Sequence, residues 1–380
     1  MVTTPRRIVI SGYYGFKNSG DEAVLKSILT ALEQEANAQG ITVAPIVLSN
    51  NPRLTKRLYG VQAVNRMDMR KVLRAIYTSH GLISGGGSLL QDATSKKTIP
   101  YYLAVIKLAQ WLWKPTFIYS QGVGPVNNKA FFPFIRNAFK KSKMVSVRDI
   151  ESAELLQSMG LGEELLHVVP DPVMGLPLSS DPEIQAEDLG VMEMGDSLPI
   201  VGVSLRFWRE DRSDMNRIAE ALRLLCEDRA VHLRFLPFHM PSDEEASRYV
   251  IERIGDIAEL GCEISICPSL EQPQAMLAEV SRCELLVGMR LHSLIYAASQ
   301  QVPMIGISYD PKIDNFLNRL GMEAAGTTEV LNPDLLVGEA TYLMNNRSQW
   351  QQDKAEAIAN LKDQASEPAE LIVEYFRLKG

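Results

Sequence analysis

The chain has 380 residues, 46% of them hydrophobic and 22% charged, which is the composition of an ordinary globular protein. That length exceeds the roughly 250–300 residues at which a single core stops growing, so two domains are expected. Net charge is −7, but residues 1–175 carry 21 Lys and Arg against 12 Asp and Glu (+9) and the remainder 18 against 34 (−16), an asymmetry that suits an anionic partner or membrane surface for the first half or else is a chance imbalance on solvated faces; no nucleic-acid partner is expected.

In chain order, RIVISG (7–12) is a β-branched run ending in glycine and predicts a strand. The loop GYYGFKNSGDEA leads to AVLKSILTALEQEA, whose apolar spacing of three to four residues predicts a helix capped by Ser19 or Asp21. ITVAPIVLS is the next strand. A short helix over 68–79 follows, with Arg66, Arg70, Lys71 and Arg74 at about one-turn spacing forming a basic face. HGLISGGGSLLQD is a strand running into three glycines. TIPYYLAVIKLAQWLW is a largely apolar helix whose Trp111 and Trp113 are expected in the core between strands, with insertion into a membrane interface as the alternative reading. PTFIYSQGVGP, MVSVRD and LLHVVPDPV are strands separated by the helical FFPFIRNAFKKSK and ESAELLQSMG. This alternation argues for a parallel, doubly wound sheet over residues 1–175.

Residues 176–198 hold six acids, no Lys or Arg, and many turn formers, so they are expected to be a linker. PIVGVSLRF opens a second alternating series over 199–330, and residues 331–380 read as C-terminal helices. The expected fold class is therefore α/β, with two doubly wound Rossmann-like domains facing across a cleft. The stretch 285–311, LLVGMRLHSLIYAASQQVPMIGISYDP, is one strand–loop–helix–strand unit with Arg290 and His292 where its helix begins. Ligands bind outside the carboxyl ends of such strands, and helix N-termini there offer N–H groups to anions.

Other features narrow the chemistry. Cys226, Cys262, Cys267 and Cys283 form no CxxC pair and read as buried thiols in a reducing cytosol, not as a zinc or disulfide framework. No window of about 18 uncharged apolar residues exists to span a membrane, and no secretory leader is expected from an N-terminus that turns glycine-rich so early. Gly15 and Gly20 fit half of a P-loop, yet Asp21-Glu22 stands where Lys-Ser or Lys-Thr is needed, which disfavours a P-loop nucleotidase. Gly85-Gly86-Gly87 and Gln121-Gly122-Val123-Gly124-Pro125 repeat the glycine corner at two more strand ends. Together the three corners line one rim, where Asn18 and Asp21 are expected to meet sugar hydroxyls. His80, His167 and His232 read as structural histidines, and His239 as one that could touch a ligand.

In this order, SGYYGFKNSGDEAVL, ISGGGSLLQD, YSQGVGP, VSVRDIES, VVPDPV, GMRLHSLIYA and ISYDPKI resemble the polysaccharide pyruvyl transferases, most closely the bacterial branch that modifies cell-wall-linked glycans for S-layer anchoring. The resemblance covers residues 8 to about 315 and implies a fold similar to GT-B glycosyltransferases. It implies transfer of the pyruvyl group of phosphoenolpyruvate to two hydroxyls of one sugar, giving a cyclic ketal and phosphate. It further implies that Arg148, Arg290, Leu291, His292 and Lys312 surround phosphoenolpyruvate. The acceptor, a lipid-diphosphate-linked sugar, is then expected against Tyr14, Asn18, Asp21, Gly85, Gly86, Gly87 and Gln121. A cytoplasmic enzyme peripheral on the membrane, with its basic N-terminal half (Arg136, Lys140, Lys141 and Lys143 included) toward phosphates or anionic lipid, is the corresponding expectation. No metal or further cofactor is expected. A nucleotide-sugar glycosyltransferase or epimerase on the same fold, and a non-catalytic glycan or polyprenyl-phosphate binder, are the rival readings.

Overall fold

The computed structural model describes residues 4–16, 18–93, 95, 97–180 and 198–379. It divides into two compact units, Met1–Leu176 together with Leu361–Gly380, and Pro177–Asn360. The acidic linker expected over 176–198 lies mostly outside the described residues.

The first unit is built on β1 (Arg6–Tyr14), β2 (Val43–Ser49), β3 (Gln62–Asn65), β4 (Gly81–Gly85), β5 (Ser88–Leu90), β6 (Thr116–Val123), β7 (Met144–Val147) and β8 (His167–Val168). Their order is β3-β2-β1-β4-β6-β7-β8, with β5 pairing onto β6, and every pairing is parallel. Parallel sheets need helices on both faces, which is why β4 and β6 are buried along their whole length. Val9, Leu82, Ile118 and Val145 of the strands pack with Ile76, Ile106, Phe139 and Leu156 of the helices. The final helix, Arg347–Leu378, sends Tyr375 and Phe376 against Phe117 at centroid distances of 5.3 and 5.6 Å.

The second unit carries β9 (Ile200–Ser204), β10 (His232–Phe235), β11 (Glu263–Ile266), β12 (Leu285–Gly288), β13 (Met304–Ser308) and β14 (Gly326–Thr327), ordered β11-β10-β9-β12-β13-β14 and again parallel. Arg234 and Glu279, both nearly buried, meet through two 2.9 Å hydrogen bonds. In each unit the strand order reverses at one seam, β1/β4 in the first and β9/β12 in the second. Such switch points open a crevice at the carboxyl ends of the strands.

Three expectations are corrected. Trp111 and Trp113 are 75% and 94% exposed, not buried. The inner face of helix Thr98–Trp111 is filled by Ile99, Tyr102, Val105, Ile106 and Ala109, which leaves position 111 outside, and residue 113 lies beyond the helix. Arg66 is not on a basic helix face. It is buried, with its guanidinium 4.2 Å from the Tyr101 ring centroid and its carbonyl accepting from the Tyr101 hydroxyl at 3.2 Å; Arg70, Lys71 and Arg74 remain exposed. Helix Ser19–Ala38 is capped by Asn18 rather than by Ser19 or Asp21, its side chain accepting from Gly20 N and Asp21 N.

Candidate active site

At the β1/β4 switch point the backbone turns are too tight for side chains. Gly15 has φ +80°, and a Cβ there would lie 2.2 Å from Ser49 Oγ. Glu22 folds back beneath this loop, accepting from Gly15 N and from the Tyr59 hydroxyl, both at 2.8 Å. Gly86 has φ +68°, and a Cβ would stand 1.8 Å from Val24 Cγ1; at Gly87 (φ +72°) it would reach Asp21 Oδ1 at 3.0 Å. Gly86→Ala is therefore expected to cost about 2–4 kcal/mol, combining the left-handed penalty with overpacking. Thermal unfolding should show the loss, and adding Val24→Ala should restore the steric part of it.

Two predicted residues prove to hold this corner together. Tyr14, expected to face the acceptor, is 1% exposed and donates its hydroxyl to Gly85 O at 2.7 Å, joining the ends of β1 and β4. Burial, with Asp21 nearby, pushes its pKa well above the ordinary phenol value. Asn18 spends its side-chain oxygen on the helix cap. Gln121, on β6, is fully buried; its Oε1 accepts from Ser84 Oγ at 3.1 Å, and its Nε2 has no hydrogen-bond partner among the described residues.

Arg148 follows β7 in this same unit. Its Nη2 donates to Ser88 Oγ at 2.8 Å, its Nη1 lies 3.4 Å from Asp171 Oδ2, and its Nε lies 3.5 Å from Asp149. Gly122 makes room for it, since a Cβ there would be 2.9 Å from Arg148 Nε. Asp171 in turn caps the 3-10 turn Pro172–Gly175. A cation with a side chain only 8% exposed is thus fixed among the glycine corners.

In the second unit the predicted residues lie beyond the β12 and β13 carboxyl ends. Gly288 ends β12, and a Cβ on it would meet Ser293 Oγ at 2.7 Å, so the chain can turn there directly into helix Leu291–Ser299. Arg290 is the residue before that helix, and Leu291 and His292, both half-buried, form its first turn. The first N–H groups of a helix have no partner within it. Arg290 Nε donates to Asp243 Oδ2 at 2.9 Å and Nη2 to Asp243 Oδ1. Asp243 is fully buried in the first turn of helix Ser242–Ile254 and also accepts from Phe238 N at 3.2 Å and His239 N at 2.9 Å. Lys312, in the first turn of helix Pro311–Arg319, is 3.9 Å from Asp310, whose side chain caps that helix.

Sequence reasoning missed Arg206 and Asp243. Ser204 of β9 and Gly288 of β12 are register partners, so Arg206 and Arg290, each two residues further on, stand equally far beyond the sheet edge. Arg206 Nη1 donates to the Tyr309 hydroxyl at 2.9 Å, and its guanidinium lies 4.8 and 5.2 Å from the Tyr309 and Trp208 rings. It thereby links the end of β9 to the end of β13, on either side of β12. Of the other histidines, His80 accepts from Arg7 N and His232 contacts Ser265 Oγ, while His239 is exposed beside Ser242 and His167 is exposed on β8. Among the described residues no group of three His, Cys, Asp or Glu could hold a metal ion.

Two parallel Rossmann-like sheets with their glycine corners and cationic loops at the carboxyl ends define a GT-B-like protein. Solved structures of this kind include the UDP-GlcNAc 2-epimerase from Methanocaldococcus jannaschii (TM-score 0.65, 13% identity, covering 99% of this chain and 100% of that one). A glycosyltransferase from Rickettsia africae gives TM-score 0.64 at 13% identity over 99% and 100%. The UDP-GlcNAc 2-epimerase from Neisseria meningitidis bound to UDP-GlcNAc gives 0.60 at 11% over 99% and 100%. Identities this low carry the fold alone. No curated protein matches the chain by sequence. Residues 18–311 match the family model for polysaccharide pyruvyl transferase, and the chain belongs to that family.

Proposed function

We propose that the protein moves the pyruvyl group of phosphoenolpyruvate onto two hydroxyls of a sugar in a cell-wall-linked glycan precursor, forming a cyclic ketal and releasing phosphate. The observation that carries this reading is the placement of Arg206, of Arg290 and His292, and of Lys312 just past the carboxyl ends of three adjacent strands of one sheet. A carboxylate plus a phosphate presents about three negative charges near neutral pH, which calls for several cations. Arginine meets both groups with a planar fork, and lysine adds a point charge. Arg290, Leu291 and His292 lie at a helix start whose N–H groups favour an anion. Arg148, expected around phosphoenolpyruvate, stands in the first unit among glycine corners suited to the acceptor through Asp21, Gly87 and Gln121.

The reaction needs one proton added at the methylene carbon of phosphoenolpyruvate while a first sugar hydroxyl attacks C2 and loses its own proton. The second hydroxyl then replaces phosphate at C2, its C–O bond forming as the C–O bond to phosphate breaks and its proton leaving on the released phosphate. His292 is assigned as the group that gives and takes these protons, since imidazole titrates near neutrality. The acceptor is assigned as a lipid-diphosphate-linked sugar, met at the cytoplasmic face of the membrane. Among the described residues no helix is long and apolar enough to cross a membrane.

Phosphate release from phosphoenolpyruvate, measured with and without lipid-linked or aryl-linked N-acetylmannosamine, glucose and galactose, tests the reading. The expected result is acceptor-dependent release with an acceptor mass gain of pyruvate less one water. No release with any acceptor, together with tight binding of a nucleotide sugar, would replace it by the glycosyltransferase or epimerase reading.

A further inference from the structure

We propose that the surface around Trp111 and Trp113 docks the protein onto anionic lipid headgroups of a bilayer. Trp113 is the most exposed large apolar side chain among the described residues. It is held out by a particular turn. Helix Thr98–Trp111 ends with Trp113 N donating to Gln110 O (3.1 Å) and Lys114 N to Ala109 O (2.9 Å), with Trp113 itself at φ +58°. This is the Schellman pattern, whose left-handed position is ordinarily glycine because a Cβ is unfavourable there. A tryptophan at that position accepts backbone strain and gains no packing in the fold in return, and strain of this kind points to function.

The surroundings select the partner. Lys107, Lys114, Lys141 and Lys143 line the same concavity of about 600 Å³ as the two indoles, and among the described residues no carboxylate lines it. Burial and the neighbouring Lys141 ammonium lower the Lys107 pKa, as expected where cations crowd. Over residues 93–148 the sequence has ten Lys and Arg and no Asp or Glu, inside a chain of net charge −7. Indoles prefer the headgroup level of a bilayer, and clustered lysines are drawn to anionic leaflets. A protein partner's core contact is instead depleted of lysine.

The surface lies before β6 and β7, at the amino ends of the strands, whereas the glycine corners are at the carboxyl ends. It deepens the lipid-linked acceptor reading without depending on the reaction: vesicle binding is measured without phosphoenolpyruvate, so the two readings fail separately.

The experiment is co-sedimentation of the full chain with vesicles of phosphatidylcholine alone or mixed with phosphatidylglycerol. Binding to the mixed vesicles should be at least about tenfold tighter, with a blue shift of tryptophan emission, and should weaken with added salt. Trp113→Gly suits the turn and should unfold no earlier than wild type, yet bind mixed vesicles several-fold more weakly, with Trp111→Ala lowering binding further. Lys141→Gln and Lys143→Gln should each cost about fivefold. Equal binding to both vesicle types, no binding to either, or unchanged binding by the variants would overturn the proposal. So would a wild-type dimer, dissolved by Trp113→Gly, that does not bind vesicles.

Discussion

Replacing His292 by alanine is expected to lower acceptor-dependent phosphate release from phosphoenolpyruvate by about 10²–10⁴-fold, the range that one positioned proton carrier contributes. His292 occupies the first turn of helix Leu291–Ser299, half-buried, directly after Arg290 and Leu291 at the β12 edge. A binding role and a proton-transfer role make different predictions there. His292→Gln keeps hydrogen-bonding capacity without a titrating group, so it should be as slow as the alanine variant while the KM for phosphoenolpyruvate changes little. His292→Lys restores a cation, and would recover much of the rate only if the imidazolium served to hold phosphate. The rate–pH profile supplies a further readout, since the limb that reports the essential acid or base should disappear in the variants. A His292→Gln rate within about threefold of wild type would remove His292 from proton transfer, because a lost general acid or base costs far more. Glycan binding by a wild-type protein that never turns over would favour the non-catalytic binder instead.

Most of the scaffold was legible in the sequence because its signals are local. The stretch 285–311 became β12, helix Leu291–Ser299 and β13 as its apolar runs and Gly288 require. What was not legible depended on distant partners. Helix Thr98–Trp111 is largely apolar, with Lys107 its one charge, so only a weak polar stripe marks its outer face, and the sheet beneath it decides that Trp111 points away. Arg66 falls into a basic periodicity with Arg70 and Arg74, but Tyr101 and Tyr102, some 35 residues on, enclose it. Tyr14 sits in a motif that reads as ligand-facing, and only the pairing of β1 with β4 brings Gly85 O to its hydroxyl. Arg206 did carry a signal: an arginine just beyond a strand end, as in VSVRD and GMRLH. Asp243 carried none, because acids at the start of PSDEE suit any helix dipole, and its arginine is 47 positions away.

That separation gives the Asp243–Arg290 pair the second large expected effect. Asp243→Ala should destabilise the second unit by about 3–5 kcal/mol, since removing one partner leaves a partly buried guanidinium without its counter-charge. It also strands two backbone donors, Phe238 N and His239 N, which now meet the carboxylate at 3.2 and 2.9 Å. Thermal unfolding should report the loss, and amide exchange should accelerate over helix Ser242–Ile254. Asp243 is a positioning residue, acting on substrate only through Arg290, so its kinetic signature should be a raised KM for phosphoenolpyruvate with kcat lowered less. Asp243→Asn keeps one acceptor oxygen for the backbone donors but cannot receive both guanidinium bonds as a charged pair. It should recover much of the stability and little of the KM. Arg290→Lys should show the converse, stable but weak in binding, because an ammonium cannot reproduce the two-pronged contact. In a double-mutant cycle, Asp243→Ala combined with Arg290→Met should cost less than the sum of the single changes, with a coupling of about 0.5–3 kcal/mol. Strict additivity, or an Asp243→Ala protein with wild-type stability and KM, would mean that Arg290 is held in place by something other than this carboxylate.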